Sequence, residues 1–291
     1  MNFRDEIKTM DALKAHYNEV LDCFKENRVV GVFLAGSQNY GLEYEYSDVD
    51  SKAMLLPSLD DIIFNNQPIS TTHIRANNEH IDFKDARLMI QCFYKQNINY
   101  LEILFTDFFI VNPKYIEYID FLRKNAELVA HYDPKKAVCT MGGVARTKYS
   151  DMTKDTPAKH QVYQEKGYDP KELSHLIRIE DFLQRYIEGE SFRECLYPKN
   201  RDYILSVKRG IFSLGDATRV AEKTYTNIQR IVDEYVANYQ EDAVALSQRS
   251  AGSLILDTTQ RNLMENYLRE EQAHHDQPRE TDSESAEKPS A

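Results

Sequence analysis

Residues 36–50 read GSQNYGLEYEYSDVD. The run before them, VVGVFLA (29–35), is continuous, apolar and β-branched, which predicts a buried strand. The run that closes them, VDSKAMLL (49–56), predicts a second strand. Between the two stand a Gly-Ser pair and two aspartates one residue apart. Strand alternation places Asp48 and Asp50 on one face and Val49 on the other, with the carboxylates roughly 7 Å apart. Two like charges on one sheet face repel, and a hard divalent cation, magnesium or manganese, relieves that repulsion.

A third carboxylate would complete a two-ion site. TTHIRA (71–76) and HIDFKD (80–85) alternate with period two, and Asn77-Asn78 between them predicts a hairpin. Asp82 lies between Ile81 and Phe83, an acid on one face of an otherwise apolar strand. If that strand neighbours 49–56, Asp48, Asp50 and Asp82 converge. Asp85 is the competing acid, and it also reads as a helix N-cap. Gly36 lacks a Cβ, so backbone there can approach a ligand closely. The following turn and the Ser37 hydroxyl would offer donors to phosphate oxygens. The stretch therefore predicts a site for a nucleoside triphosphate and two Mg2+ or Mn2+ ions. Tyr40 and Gly41 have two open readings: they shape the loop around a nucleotide, or they are an aromatic lid over the core and a plain turn.

The first part of the chain predicts an α/β unit. A helix over 9–26 precedes the first strand, 57–70 reads as irregular, helical spacing begins near 84, and FFIVNP (108–113) is a last short strand. Beyond it, apolar stripes at three-to-four spacing predict helices in 115–130, 135–152, 171–189, 200–213, 216–239 and 256–272. The end, rich in Glu, Ser and Pro, predicts a disordered acidic tail. The expected division is 1–130, 131–272 and a tail over 273–291.

On KELSHLIRI, Lys171, His175 and Arg178 share a helix face by their three-and-four spacing. They read as a cation stripe facing the cleft and binding phosphates, or as a solvated face opposite Leu173, Leu176 and Ile177. Lys148, Lys159 and His160 extend the same idea. His73 and His80 flank the hairpin and read as structural.

The 291 residues carry a net charge of −11, spread unevenly. Residues 142–233 hold 16 basic and 14 acidic side chains, against 15 and 21 in 1–141. The acidic total argues against bulk nucleic-acid binding, and the middle segment is the one suited to a polyanion. No apolar run approaches about 20 residues, so no membrane span is expected, and the N-terminus lacks a signal-peptide core. These features predict a cytoplasmic protein. Cys23, Cys92, Cys139 and Cys195 are widely spaced with no CxxC pair. This argues against a zinc or disulfide framework and reads each as a small buried apolar residue.

Gly36-Ser37, ten residues, then Asp48-Val49-Asp50, with a later strand aspartate, resembles the DNA polymerase β superfamily of nucleotidyltransferases. Tyr40-Gly41, Ser47-Asp48-Val49-Asp50 and DFKDARLMIQCFYKQNINYLEILF, with its Asn-x-Leu-Glu turn over 99–102, are similar to the bacterial and phage branch of which some members are associated with RNA repair. The resemblance covers about 30–112. It implies an α/β nucleotidyltransferase domain, a short mixed sheet flanked on one side by helices, followed by an all-helical domain across the cleft. It also implies metal-dependent transfer of a nucleoside monophosphate from an NTP to an acceptor hydroxyl, with pyrophosphate release. Carried over by position, Ser37 contacts phosphate, and Asp48, Asp50 and Asp82 are the catalytic metal ligands. The expected acceptor is an RNA or other nucleic-acid end. Transfer to a small molecule or a protein hydroxyl, and NTP sensing without turnover, remain open. Many relatives carry Arg after the Gly-Ser pair, where this chain has Gln38.

Overall fold

The computed structural model describes residues 6–44, 47–157 and 159–275. Helix α1 (Glu6–Cys23) leads into strand β1 (Val29–Ala35), a 3-10 turn over Gly36–Tyr40, and β2 (Asp50–Leu55). A short helix α2 (Leu59–Ile63) follows, closed by a capping box between Ser58 and Asp61, within the stretch expected to be irregular. Strands β3 (Ser70–Ile74) and β4 (His80–Asp85) form the expected hairpin, with Asn78 at φ 65°. Helices α3 (Ala86–Tyr94) and α4 (Ile98–Leu101) and strand β5 (Phe109–Val111) complete this part.

The five strands form one mixed sheet in the order β3-β4-β2-β1-β5. β2 and β4 run parallel and the other pairs run antiparallel. β1 is buried along its whole length, as its continuous apolar sequence requires. Helices lie on both faces of the sheet, not on one side as expected. Leu13 and Val20 of α1 pack with Val32, Ala53, Leu55, Ile81 and Phe83 on one face. On the other, Phe33 and Met54 join a continuous core that runs through Met89 and Phe93 of α3 into the helical part of the chain.

That part comprises α5 (Ile116–Lys124), α6 (Ala126–Ala130), α7 (Pro134–Asp151), α8 (His160–Lys166), α9 (Pro170–Ile187), α10 (Phe192–Leu196), α11 (Arg201–Lys208), α12 (Leu214–Asn238) and α13 (Ala243–His275). The stripe over 115–130 forms two helices, because the chain breaks at Asn125. α9 is central and packs against α7, α11 and α12, while α13 returns across α3, α5 and α6. α13 is longer than the helix expected over 256–272, and residues 273–275 of the expected tail are its last residues. Residues 276–291 lie outside the described residues.

The cysteines correct their sequence reading. Only Cys195 is buried, whereas Cys23 and Cys139 are exposed. No helix among the described residues is long and apolar enough to cross a membrane.

Candidate active-site cleft

Register explains which side chains meet. In the parallel β2–β4 pair, Ser51 lies level with Ile81 and Lys52 with Asp82. Ala53, Leu55, Ile81 and Phe83 belong to the α1 face. Period two therefore turns Asp50, Lys52, His80, Asp82 and Lys84 to the opposite face. That face forms one wall of a cleft of about 350 Å³. The cleft is lined by Gly36, Tyr40, Asp50, Lys52, His80 and Asp82 from the sheet side. Asn99 and Glu102 come from the segment after α3, and Lys148, His175 and Arg178 from α7 and α9.

The carboxylates are already engaged. Asp50 Oδ1 lies 3.0 Å from His80 Nδ1. Its other oxygen faces Gly36, which sits at φ 77°, so that a Cβ there would stand 3.2 Å from Asp50 Oδ2. Tyr100 donates its hydroxyl to Asp82 Oδ2 at 2.9 Å. Burial, then the charge of Asp82, pushes that phenol far above its ordinary value. The Lys52 and Lys84 ammonium groups lie over the Tyr100 ring at 5.1 and 4.9 Å from its centroid.

Glu102 is the carboxylate that sequence reading did not single out. It is 1% exposed. Its Oε1 accepts from the Gly36 N–H at 3.3 Å and lies 3.8 Å from Lys52 Nζ. Tyr40 lines the cleft with it. Burial pushes its pKa up, partly offset by Lys52. The available signal was an acid inside the apolar run NYLEILF, where helical spacing gives it no solvated face.

On the facing wall, Arg178 is 3% exposed and lies over the Tyr40 ring, 4.1 Å from its centroid. Its Nε is buried without a hydrogen-bond partner among the described residues. Burial and then the neighbouring charges of Arg178, Lys148, Lys171 and Lys208 hold His175 well below its ordinary pKa, so it is neutral in the folded protein near pH 7. Lys148 lies 2.9 Å from Glu172, and Lys159 lies 2.5 Å from the same residue. Next to this wall, burial and Lys171 bring the Lys208 ammonium down to about 8.

The remaining expected site residues stand elsewhere. β2 begins at Asp50, so Asp48 is not on the strand as the alternation argument required. It is exposed just ahead of β2 and does not line the cleft. Ser37 is half-buried, and its carbonyl accepts from Leu42 N–H at 3.0 Å. Ser37 and Lys171 are not among the cleft-lining residues. Asp85 caps α3 by accepting from Arg87 N–H at 2.8 Å, on the side away from Asp82. Gln38 is 8% exposed and turned inward. It accepts from Thr9 at 3.2 Å and donates to the Asp48 carbonyl at 3.4 Å, so it ties the turn to α1.

Among the described residues, no group of three or more His, Cys, Asp or Glu side chains is placed to hold a metal ion. The expected two-ion centre is therefore not assembled by side chains alone, and the exposed position of Asp48 is one reason. The donor set fits a magnesium-type ion that arrives with its own phosphate oxygens, since such ions typically use one or two protein carboxylates.

No family model matches the chain, and no curated protein matches it. Among solved structures it is similar to a nucleotidyltransferase-like protein from Exiguobacterium sibiricum 255-15. The TM-score is 0.32 and the identity 9%, over 90% of this chain and 92% of that one. A likeness this remote carries no argument about activity, and the function proposed below rests on the cleft.

Proposed function

We propose that this cleft binds a nucleoside triphosphate and transfers its nucleoside monophosphate to an acceptor hydroxyl, releasing pyrophosphate. One observation carries the reading. Asp50 and Asp82 share one wall beside the Gly36 turn, while Lys148, His175 and Arg178 face them across the same cleft. Carboxylates at one side and guanidinium and ammonium groups at the other suit a polyphosphate whose reacting phosphorus lies between them.

In the proposed step the acceptor oxygen bonds to the α-phosphorus as the bond from that phosphorus to the pyrophosphate oxygen breaks. The hydroxyl proton passes to a carboxylate, for which Asp82 is the candidate. Arg178 and Lys148 take the charge that develops on the leaving pyrophosphate. Asp50 and Asp82 would hold a magnesium or manganese ion brought by the nucleotide, with Asp48 the next carboxylate along the chain. When bound, such an ion screens phosphate charge. The cation-bearing wall favours an acceptor that itself carries phosphate, such as an RNA or other nucleic-acid end.

Label transfer from each α-labelled NTP tests this, with magnesium or manganese and with short RNA, short DNA and the protein itself as acceptors. Label on an acceptor, lost in Asp50→Asn and Asp82→Asn, is the expected result. Nucleotide binding without transfer would leave a sensor, and neither binding nor transfer would overturn the proposal.

A further inference from the structure

We infer that Glu102 is a positioning residue that fixes the Gly36–Tyr40 turn over Asp50, and so sets where the proposed nucleotide's phosphates are received. The inference rests on the nucleotidyltransferase reading and adds to it a residue that touches no reacting atom.

Glu102 holds the start of the turn and faces its far end. Its Oε1 takes the Gly36 N–H at 3.3 Å, and its charge acts on buried Tyr40 at the other end, which lines the same cleft. Lys52, two residues beyond Asp50 on the same strand face, stands 3.8 Å from the same oxygen. Arg178 lies over the Tyr40 ring at 4.1 Å. One carboxylate thus joins the turn, the Asp50-bearing strand and, through Tyr40, the facing helix. The place of Gly36 matters because it lies directly beside Asp50 Oδ2.

This carboxylate is not explained by stability. Asp85 is equally buried, but both of its oxygens are engaged, by the Arg87 backbone and guanidinium. Glu102 keeps Oε2 buried with no hydrogen-bond partner among the described residues. An incompletely satisfied buried carboxylate costs stability, so an apolar residue would serve packing better. What Glu102 supplies instead is a fixed acceptor under the turn. An acceptor at that depth requires the full glutamate length, and this separates positioning from a purely electrostatic role.

The experiment compares Glu102→Gln, Glu102→Asp and Glu102→Ala with wild type and Asp50→Asn in the full chain. Glu102→Gln keeps an amide oxygen at the same reach, so KM for the NTP should stay within about threefold of wild type. Glu102→Asp keeps the charge and withdraws the oxygen by one methylene, so KM should rise roughly tenfold or more, as in Glu102→Ala, with kcat changing less. Backbone hydrogen exchange over residues 36–41 reads the same positioning without turnover. It should quicken roughly tenfold in Glu102→Asp and Glu102→Ala and stay near wild type in Glu102→Gln. Wild-type KM and exchange in Glu102→Asp, or equal impairment of Glu102→Gln and Glu102→Asp, would overturn the inference. If wild type itself neither transfers label nor binds NTP, the functional reading fails, and the exchange measurement still decides the role of Glu102.

Discussion

The guanidinium of Arg178 lies over the ring of Tyr40, 4.1 Å from its centroid, and this contact joins α9 to the turn that follows β1. Arg178 is almost wholly buried, lines the cleft and has no hydrogen-bond partner at Nε among the described residues. A planar cation in that state is held by the ring face and by the charge of Glu102, and is prepared for an anion. Arg178→Ala should raise KM for the nucleotide roughly 10- to 100-fold and cost about 1–2 kcal/mol of stability. Arg178→Lys should not restore affinity, because an ammonium loses both the stacking plane and the forked donors. Titration of a fluorescent NTP analogue and urea unfolding check the two effects.

Gly36 answers to conformation and space together. Its φ of 77° is a region that L side chains enter at a cost of roughly 1–2 kcal/mol, and a Cβ there would stand 3.2 Å from Asp50 Oδ2. Gly36→Ala should lower the melting temperature by several degrees and cut transfer more than tenfold. Gly143 in α7 is the control, since a Cβ there meets nothing within 4 Å. Gly143→Ala should leave activity unchanged and stabilise the helix by about 0.5–1 kcal/mol. Equal loss of activity in both variants would contradict this account.

The contrast between Asp50 and Glu102 shows what the sequence could carry. Apolar runs on either side of the Gly-Ser turn fix two strands, and period two then sends Asp50 and Asp82 to one face once β2 and β4 are paired. Asp48 was misplaced because the strand starts at Asp50, past both Asp48 and Val49, and strand ends are set by ladder partners, here Ala35 opposite Asp50. An acid in the apolar run NYLEILF marked Glu102 as buried, but its role was out of reach because that depends on Gly36, 66 positions earlier, and no local period reports such a contact. The length of α13 was obscured for a related reason. Its exposed Val244 and Leu254 blur the apolar stripe, and the helix is held by packing on α3, α5 and α6.

Two histidines, His16 in the core and the half-buried His175 at the cleft wall, predict acid sensitivity in a defined window. His16 is fully buried, with Nδ1 2.8 Å from Ser51 Oγ and Nε2 3.0 Å from Glu79. Burial holds its pKa below the ordinary 6.5, and burial followed by Arg178 does the same to His175. A histidine with a lowered folded pKa contributes stability that is present above 6.5 and is lost as pH falls below it, because the unfolded chain then binds more protons. The slope reaches about 1.4 kcal/mol per pH unit for each histidine. Urea unfolding of wild type between pH 7.5 and 5.5 should show stability falling with pH. His16→Gln and His175→Gln should each flatten that fall, and an unchanged slope in both would refute it.

The loop after the turn is held from across the cleft. Arg201 donates Nε–H to the Gly41 carbonyl, and Lys208 donates to the Leu42 carbonyl at 3.0 Å while lying over the Tyr44 ring at 4.6 Å. Both donors come from α11, so residues 41–44 are anchored to the helical wall and not only to their own strand. Hydrogen bonds from charged groups contribute about 1.5–3 kcal/mol each, enough to order a short loop but little beside the shared core. The double variant Arg201→Ala/Lys208→Ala should therefore lower the melting temperature by only a few degrees. Protease cleavage within 41–49 should quicken, and KM for the nucleotide should rise roughly tenfold while kcat changes less. Unchanged cleavage in the double variant would mean that the loop is ordered from within and that α11 does not act as its clamp.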